Sequence, residues 1–492
     1  MANLADSTNV DPTIVVGGGF VGLFTALHLH RLHYEAPVVV IDPHDRFVFK
    51  PLLYEYVSGE MRTEQVFPSY RQLLTERGIT FVQGTVTGID FEQRQVFLAT
   101  GEQYHYRYLV LGVGSQQGYF GTEGAAEHGL AFRTEADALH LRHHLEDCLK
   151  RASQLPDGPE KDALLTFAVV GAGPSGVEMA AMLADLLPLW WCRYFNSTVA
   201  KTDGLRVVLI NHGSEILAGD ANEGLRQPVL KELQKRHMPV ELKLGVGVKA
   251  VAADHIAYQV PGQDSVELLA TATTIWTAGT ANNSLLEQLP LPTDQRDKHG
   301  RPLVTPTLQL VGHPEVFAAG DCALNPADPQ PPLAQVAYQQ GTTIADNLVA
   351  LQRDKPLTPV HVGLRGTLMK LGLGNGIANL FNKVQIKGKP GSLMRDATYL
   401  SLLPAPGHDL KMINEWLADE FVGQYHSPWL DAPGLHSNSS MHATTTRAID
   451  KALGMAIAAV FLLMGGLLLW QMLTYQRPEP SPQSEVVIRR NG

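Results

Sequence analysis

Two glycine-rich turns, 154 residues apart, constrain this 492-residue chain more than any other feature. Gly17, Gly19 and Gly22 form GxGxxG between the apolar run Thr13–Val16 and a helical stretch to about His33, and PVVVID then ends at Asp42. Gly171, Gly173 and Gly176 repeat the pattern in VVGAGPSGVE, between TFAVV and LRVVLI, which ends at Ile210. In such a turn the first glycine permits the tight bend, and the second lets a pyrophosphate approach the backbone. The third packs the helix onto the strand. The helix N-terminus adds free N–H groups and a positive dipole end. Two strand–turn–helix–strand units predict an α/β protein with two Rossmann-like dinucleotide-binding domains. Two sites in one chain suggest a flavin held in one and a nicotinamide dinucleotide visiting the other.

The residues at the strand ends refine this reading. Asp42 closes its strand 25 residues after Gly17, placed to accept hydrogen bonds from an adenosine ribose. After the second unit the expected acid is missing, and Asn211 and His212 follow Ile210. A carboxylate there would accept from the 2′-hydroxyl of NADH and repel the 2′-phosphate of NADPH. Asn removes that repulsion, so the second site is expected to take NADPH as well as NADH. TIWTAG, ending at Gly279, reads as the strand end that closes the second unit. FAAGD, ending at Asp321, reads as a strand end whose carboxylate can bind flavin ribityl hydroxyls.

Composition narrows the partners. Charged residues make up 18%, below the usual ~25%, and the formal charge is −10. An acidic chain without a basic face argues against a nucleic-acid partner. The three cysteines, Cys148, Cys192 and Cys322, form no CxxC pair, which argues against a tetrathiolate metal site and a redox-active disulfide motif. Residues 1–12 show neither a basic n-region nor an apolar h-region, so no secretory signal is expected. Residues 453–473 carry no charge over 21 residues, which at ~1.5 Å per residue is about a bilayer core. They contain no ionisable group to relay protons, so no proton pumping is expected. A single carboxyl-terminal anchor in the lipid bilayer follows, behind a polar linker at 422–446. The flavoprotein body is expected on the cytoplasmic or stromal side.

Beyond these features, VVGGGFVGL, KPLLYE (Lys50 to Glu55), YLVLGVGS, VVGAGPSGVE, TIWTAG, FAAGDCA and AQVAYQQG span Ile14 to Gly341. In that order they resemble the type II NAD(P)H:quinone oxidoreductases, the non-proton-pumping alternative NADH dehydrogenases. These are two-dinucleotide-binding-domain flavoproteins. FKPLLYEYVSGE and the extra carboxyl-terminal segment look most like the cyanobacterial and plastid branch, which includes enzymes reducing plastoquinone and naphthoquinone precursors. The resemblance implies FAD at Gly17, Gly19, Gly22, Asp42, Ser115 and Asp321. It implies the nicotinamide at Gly171, Gly173, Gly176 and Glu178, and a membrane quinone beside Gln335 and Gln339. These two glutamines, at i and i+4, share one helix face. The resemblance also implies an FAD domain from 1–120 with 285–360, an NAD(P)H domain at 160–280, and a membrane- and quinone-associated region at 361–421. A homodimer is compatible with it.

Two other classes share parts of this pattern. A sulfide:quinone oxidoreductase would need paired cysteines near the flavin, and a membrane-tethered redox sensor would bind both nucleotides without turnover. His140, His143 and His144 have metal-ligand spacing but read as a solvated helix face, so no metal is expected. Trp190, Trp191, Tyr194 and Phe195 read as packing.

Overall fold

A computed structural model describes residues 11–194, 204–219, 223–364, 366–380 and 384–402, all within one compact unit. Two sheets dominate it. The first has six strands in the order 309–310, 313–318, 108–111, 13–16, 38–42 and 80–83. All pairs are parallel except the short edge strand Gln309–Leu310. Thr13–Val16 is buried throughout, as an apolar run in a sheet covered on both faces must be. Its end, Val16, lies between Ile41 and Leu111, so the glycine turn emerges at the centre of the sheet edge. Helix Phe20–Arg31 then packs against helix Ala334–Gln352. The two approach so closely that Thr25 Oγ1 donates to the Gly341 carbonyl at 3.0 Å.

The second sheet has five strands in the order 241–244, 206–211, 166–170, 273–276 and 129–130, all parallel. Strand Arg206–Asn211 runs one residue beyond the expected end at Ile210. The chain crosses between the sheets twice, and the crossings pair antiparallel as Ser115–Gln117 with Thr280–Asn282. Trp276 Nε1 donates to the carbonyls of Gly118 at 2.9 Å and Ala278 at 2.7 Å, stitching the crossings together.

Strands Gly366–Lys370, Gly376–Leu380 and Val384–Gly388 form a three-stranded antiparallel meander, and helix Lys389–Ser401 packs on it. Much of the expected 361–421 region is therefore folded against the body. Residues 403–421, the linker at 422–446 and the apolar stretch at 453–473 lie outside the described residues. Among the described residues no helix is long and apolar enough to cross a membrane.

The side features are mostly packing. His140 and His143 are exposed on helix Glu135–Gln154, while His144 turns inward to Thr273 Oγ1 at 3.0 Å. No cluster of metal-ligating side chains occurs among the described residues. Trp190 and Trp191 are buried; Phe195 lies outside the described residues.

Candidate functional site

The first cradle is built on main chain. Gly17 adopts φ +95°, and a side chain there would meet the Gly112 carbonyl oxygen at 2.6 Å. A side chain at Gly22 would strike the Gly17 carbonyl. The helix that follows has no side-chain cap at Gly19 and no acid in its first turn, so its N–H groups stay open to an anion. The Gly18 N–H donates to Asp42 Oδ2 at 2.7 Å, and the His44 N–H to Asp42 Oδ1 at 2.9 Å. Asp42 is thus fixed beside the turn. At the other end of the edge Ser115 Oγ donates to Asp321 Oδ2 at 2.9 Å, although the two are 206 residues apart.

The second cradle copies the first. Gly171 has φ +105°, and a side chain there would meet the Ala278 nitrogen at 2.9 Å; one at Gly176 would strike the Gly171 carbonyl. Gly173 lies between them with open space around it. The Gly171 N–H donates to the Ile210 carbonyl as the Gly17 N–H does to that of Ile41, both at 2.8 Å. The Ala172 N–H donates to Asn211 Oδ1 at 3.2 Å. Asn211 therefore holds the station in the second unit that Asp42 holds in the first. Its Nδ2 donates to the carbonyls of Gly213 and Glu215, each at 3.0 Å, which fixes the amide the other way round. Gly279, with φ +77°, lies under the exposed ring of Phe120, where any side chain would collide with it.

KPLLYE reaches the second cradle. Tyr54 Oη donates to Ser175 Oγ at 3.0 Å, inside the second glycine turn. The next residue, Glu55, is buried and accepts from Lys370 Nζ at 3.0 Å and Arg395 Nη1 at 2.6 Å. Glu178 Oε1 accepts the Lys370 backbone N–H at 2.7 Å and lies 3.7 Å from Arg395 Nε. Burial pushes the Glu178 carboxyl up to about 7, against the pull of Arg395. Burial likewise pushes Asp396 up to about 7, again against Arg395. Tyr54 is raised well above an ordinary phenol, chiefly by burial. A carboxyl that exchanges a proton near neutrality can act as acid or base at physiological pH.

Gln335 and Gln339 do share a face, but their amides point at backbone. Gln335 Nε2 donates to the Gly366 carbonyl at 3.2 Å. Gln339 Nε2 donates to the carbonyls of Gln335 at 2.7 Å and Gly363 at 3.3 Å, and its Oε1 accepts the Gly363 N–H at 3.0 Å. The pair holds the segment that leads into the carboxyl-terminal meander. Gln340, which the sequence did not single out, is the glutamine that reaches the Gly-Asp turn, accepting the Gly320 N–H at 2.7 Å. A small cleft of about 20 Å³ adjoins Gly320 and Asp321, with Gln340, Leu333 and Val336 in its wall.

Arg133, Lys370 and Arg395 also went unnoticed. Lys370 carried a signal: a lone Lys in the apolar strand GTLMKLG cannot be buried without carboxylates. Arg133 and Arg395 carried none. The cysteines do not gather: Cys148 contacts His144 and Thr273, and Cys322 donates to the carbonyls of Leu111 and Ala319. Burial pushes the Cys322 thiol up to about 11. The paired thiols of a sulfide:quinone reading are not formed by these two.

A family model described as pyridine nucleotide-disulphide oxidoreductase matches residues 11–341. Demethylphylloquinone reductase NdbB of Synechocystis sp. is 32% identical, over 83% of this chain and 96% of that protein. The chain belongs to the pyridine nucleotide-disulphide oxidoreductase family, in its type II NAD(P)H:quinone oxidoreductase branch. An alternative NAD(P)H-ubiquinone oxidoreductase of Arabidopsis thaliana, named as chloroplastic/mitochondrial, is 29% identical over 83% of this chain and 80% of its own. NDH2 of Plasmodium falciparum, solved with NADH, shares the fold with TM-score 0.73 at 18% identity, over 84% of this chain and 99% of that one. FAD is this family's cofactor, and the first cradle fits it: a glycine turn no side chain could enter, open helix N–H groups, and a carboxylate at either end of the edge.

Proposed function

We propose that this protein oxidises NADH or NADPH and reduces a membrane quinone of the plastoquinone or naphthoquinone type, without pumping protons. The observation that carries the reading is the pair of like-built glycine cradles in one compact unit, the second tied to the short helix Leu53–Ser58 by the Tyr54–Ser175 hydrogen bond. FAD supplies the two-electron relay between pyridine nucleotide and quinone. The chain's own residues do the rest. Gly17, Gly19 and Gly22 seat the pyrophosphate, Asp42 the adenosine ribose, and Ser115 with Asp321 the ribityl chain. Gly171, Gly173, Gly176 and Gly279 seat the pyridine nucleotide, whose adenosine ribose meets Asn211. Glu178 holds a proton beside the junction and is kept in place by the Lys370 N–H. Gln335 and Gln339 meet the quinone, Gln339 by turning its amide away from Gly363, to which it donates at 3.3 Å and from which it accepts at 3.0 Å.

The FAD domain comprises 1–120 and 285–360 and the NAD(P)H domain 160–280, with 361–421 docking toward the membrane. The apolar stretch 453–473 anchors the protein there. Steady-state assays with NADH and NADPH against several quinones, with sulfide as a rival donor, test the reading. Quinol formation from a pyridine nucleotide supports it. A colourless protein that cannot be reconstituted with FAD, or turnover with sulfide alone, refutes it.

A further inference from the structure

In each glycine turn the residue between the first two glycines is clamped through both of its backbone polar groups. In the first cradle the Gly18 N–H donates to Asp42 Oδ2 at 2.7 Å, and the Gly18 carbonyl accepts from Tyr70 Oη at 2.8 Å. In the second the Ala172 N–H donates to Asn211 Oδ1 at 3.2 Å, and the Ala172 carbonyl accepts the Leu217 N–H at 2.7 Å. The two turns meet one requirement with different groups: a backbone N–H in the second, a single phenol in the first. Leu217 lies in left-handed backbone, φ +52°, which a leucine rarely adopts, so the clamp persists there despite local strain.

Tyr70 is itself held firmly. It opens helix Tyr70–Leu74, and its backbone N–H donates to the Asp45 carbonyl at 3.0 Å, just past Asp42. Its ring stacks on Phe81, with centroids 4.8 Å apart, in the strand that pairs with 38–42. The side chain is buried, and burial with the charge of Asp42 raises the phenol well above its usual value, so it keeps the proton it donates. A methyl group on Gly18 would overlap the phenol oxygen, and a ring packed in this way cannot swing clear. Ala172 carries that methyl in the second cradle, where the donor is main chain. The far end of the first cradle has a separate brace: Arg133 Nη2 donates to the Ser115 carbonyl at 2.7 Å and to Ser115 Oγ at 3.0 Å.

We propose that Tyr70 is a positioning residue for FAD: by fixing the Gly18–Gly19 peptide it aims the Gly19 N–H at the pyrophosphate. The inference rests on the FAD assignment above. Among the described residues no peptide bond is cis, so the carbonyl and the N–H of one peptide unit point opposite ways. With the Gly18 carbonyl turned to Tyr70, the Gly19 N–H must face away from it. That N–H bonds to nothing among the described residues, and Gly19 caps a helix whose first N–H groups are open to an anion. Without the hydroxyl this peptide is free to rotate. A carbonyl oxygen turned toward a pyrophosphate repels it, where an N–H attracts it. Tyr70 touches neither nucleotide nor flavin; it acts through the turn.

The test uses the full-length, FAD-loaded protein as wild type, Tyr70→Phe, Gly18→Ala and the double variant. The dissociation constant for FAD is read from flavin fluorescence on dilution, and the bound pyrophosphate is followed by phosphorus NMR. The urea midpoint is taken after the flavin has been removed. Tyr70→Phe should raise the FAD dissociation constant about tenfold and shift the phosphorus resonances, while the affinity of the second cradle for NAD(P)H holds. Gly18→Ala should do the same by displacing the phenol. The double variant should bind FAD no more weakly than the worse single variant, because both changes break one contact. An unchanged FAD dissociation constant in Tyr70→Phe overturns the inference, and a lowered urea midpoint beside it would make Tyr70 purely structural. Additive losses in the double variant overturn it too, because the two residues would then act separately. Should Tyr70→Phe not fold, Gly18→Ala carries the same expectation. A colourless wild type fails the FAD assignment itself, and the inference falls with it.

Discussion

Replacing Glu178 by Gln should make the protein less sensitive to rising pH. In the folded state burial holds this carboxyl at about 7, against an ordinary value of 4.5. The side chain is only 12% exposed, so solvent screens the effect little. Above pH 4.5 the unfolded chain releases this proton while the folded protein keeps it. Stability therefore falls as pH rises toward about 7 and levels off beyond. Each pH unit in that window costs about 1.4 kcal/mol per such group, so pH 5 to 7 amounts to roughly 3 kcal/mol at most. Gln keeps an oxygen for the Lys370 N–H but has no proton to lose. The urea midpoint of Glu178→Gln, followed by far-UV circular dichroism at several pH values, should gain on wild type steadily between pH 5 and 7. Asp396, also raised to about 7, leaves part of the slope in both proteins. Parallel curves would refute the reasoning, because they would mean that Glu178 is ionised in the folded protein throughout.

Three further outcomes follow from the site. Asn211→Glu should restore discrimination against NADPH by about 1–3 kcal/mol, through like-charge repulsion of the 2′-phosphate; kcat/KM for the two nucleotides measures it, and a wild type that already rejects NADPH defeats the idea. Gln339→Leu should slow quinol formation while stopped-flow flavin reduction by NAD(P)H survives, and equal damage to both half-reactions would assign Gln339 to holding Gly363 alone. Ending the chain after Thr446 should abolish carbonate-resistant membrane association yet keep FAD and activity with a water-soluble quinone analogue. Full-length protein that washes off in carbonate would exclude a spanning segment at 453–473.

The two sheets were legible because their information is local. Apolar runs end in glycine turns, and a glycine at Gly17 or Gly171 is required by the backbone itself. Asn211 was legible for the same reason: it is the residue after an apolar strand, and the copied N–H contacts of Gly18 and Ala172 put it at the station of Asp42. The orientation of Gln335 and Gln339 was not legible. Their helix face follows from spacing, but what they bond to is a segment 24 to 31 residues away that reads in sequence only as Gly-rich turns. The ion cluster was hidden for a stronger reason. Glu55 meets Lys370 and Arg395 across 315 and 340 residues, and no periodicity links such positions.

That cluster explains why the carboxyl-terminal meander belongs to the site. Lys370, Glu55 and Arg395 are each no more than 3% exposed, and isolated charges so buried would be prohibitively costly. They are tolerable only together, so the meander and its helix must sit against KPLLYE for either to be stable there. Around Lys370 and Arg395 stand four carboxyls, Glu55, Glu60, Glu178 and Asp396, two more acids than bases. A buried group with that excess cannot ionise fully, and the two carboxyls raised to about 7 are where the protons remain. Asp185 closes the same seam from the other side: it accepts from the Leu373 N–H at 3.0 Å and pairs with Arg236 at 3.1 Å. The short helix Leu53–Ser58 thus touches three parts: the nucleotide cradle through Tyr54, and both the meander strand of Lys370 and the helix of Arg395 through Glu55. A shift in any one of the three is felt by Glu178, whose carboxylate is held by the backbone of Lys370 rather than by its own domain.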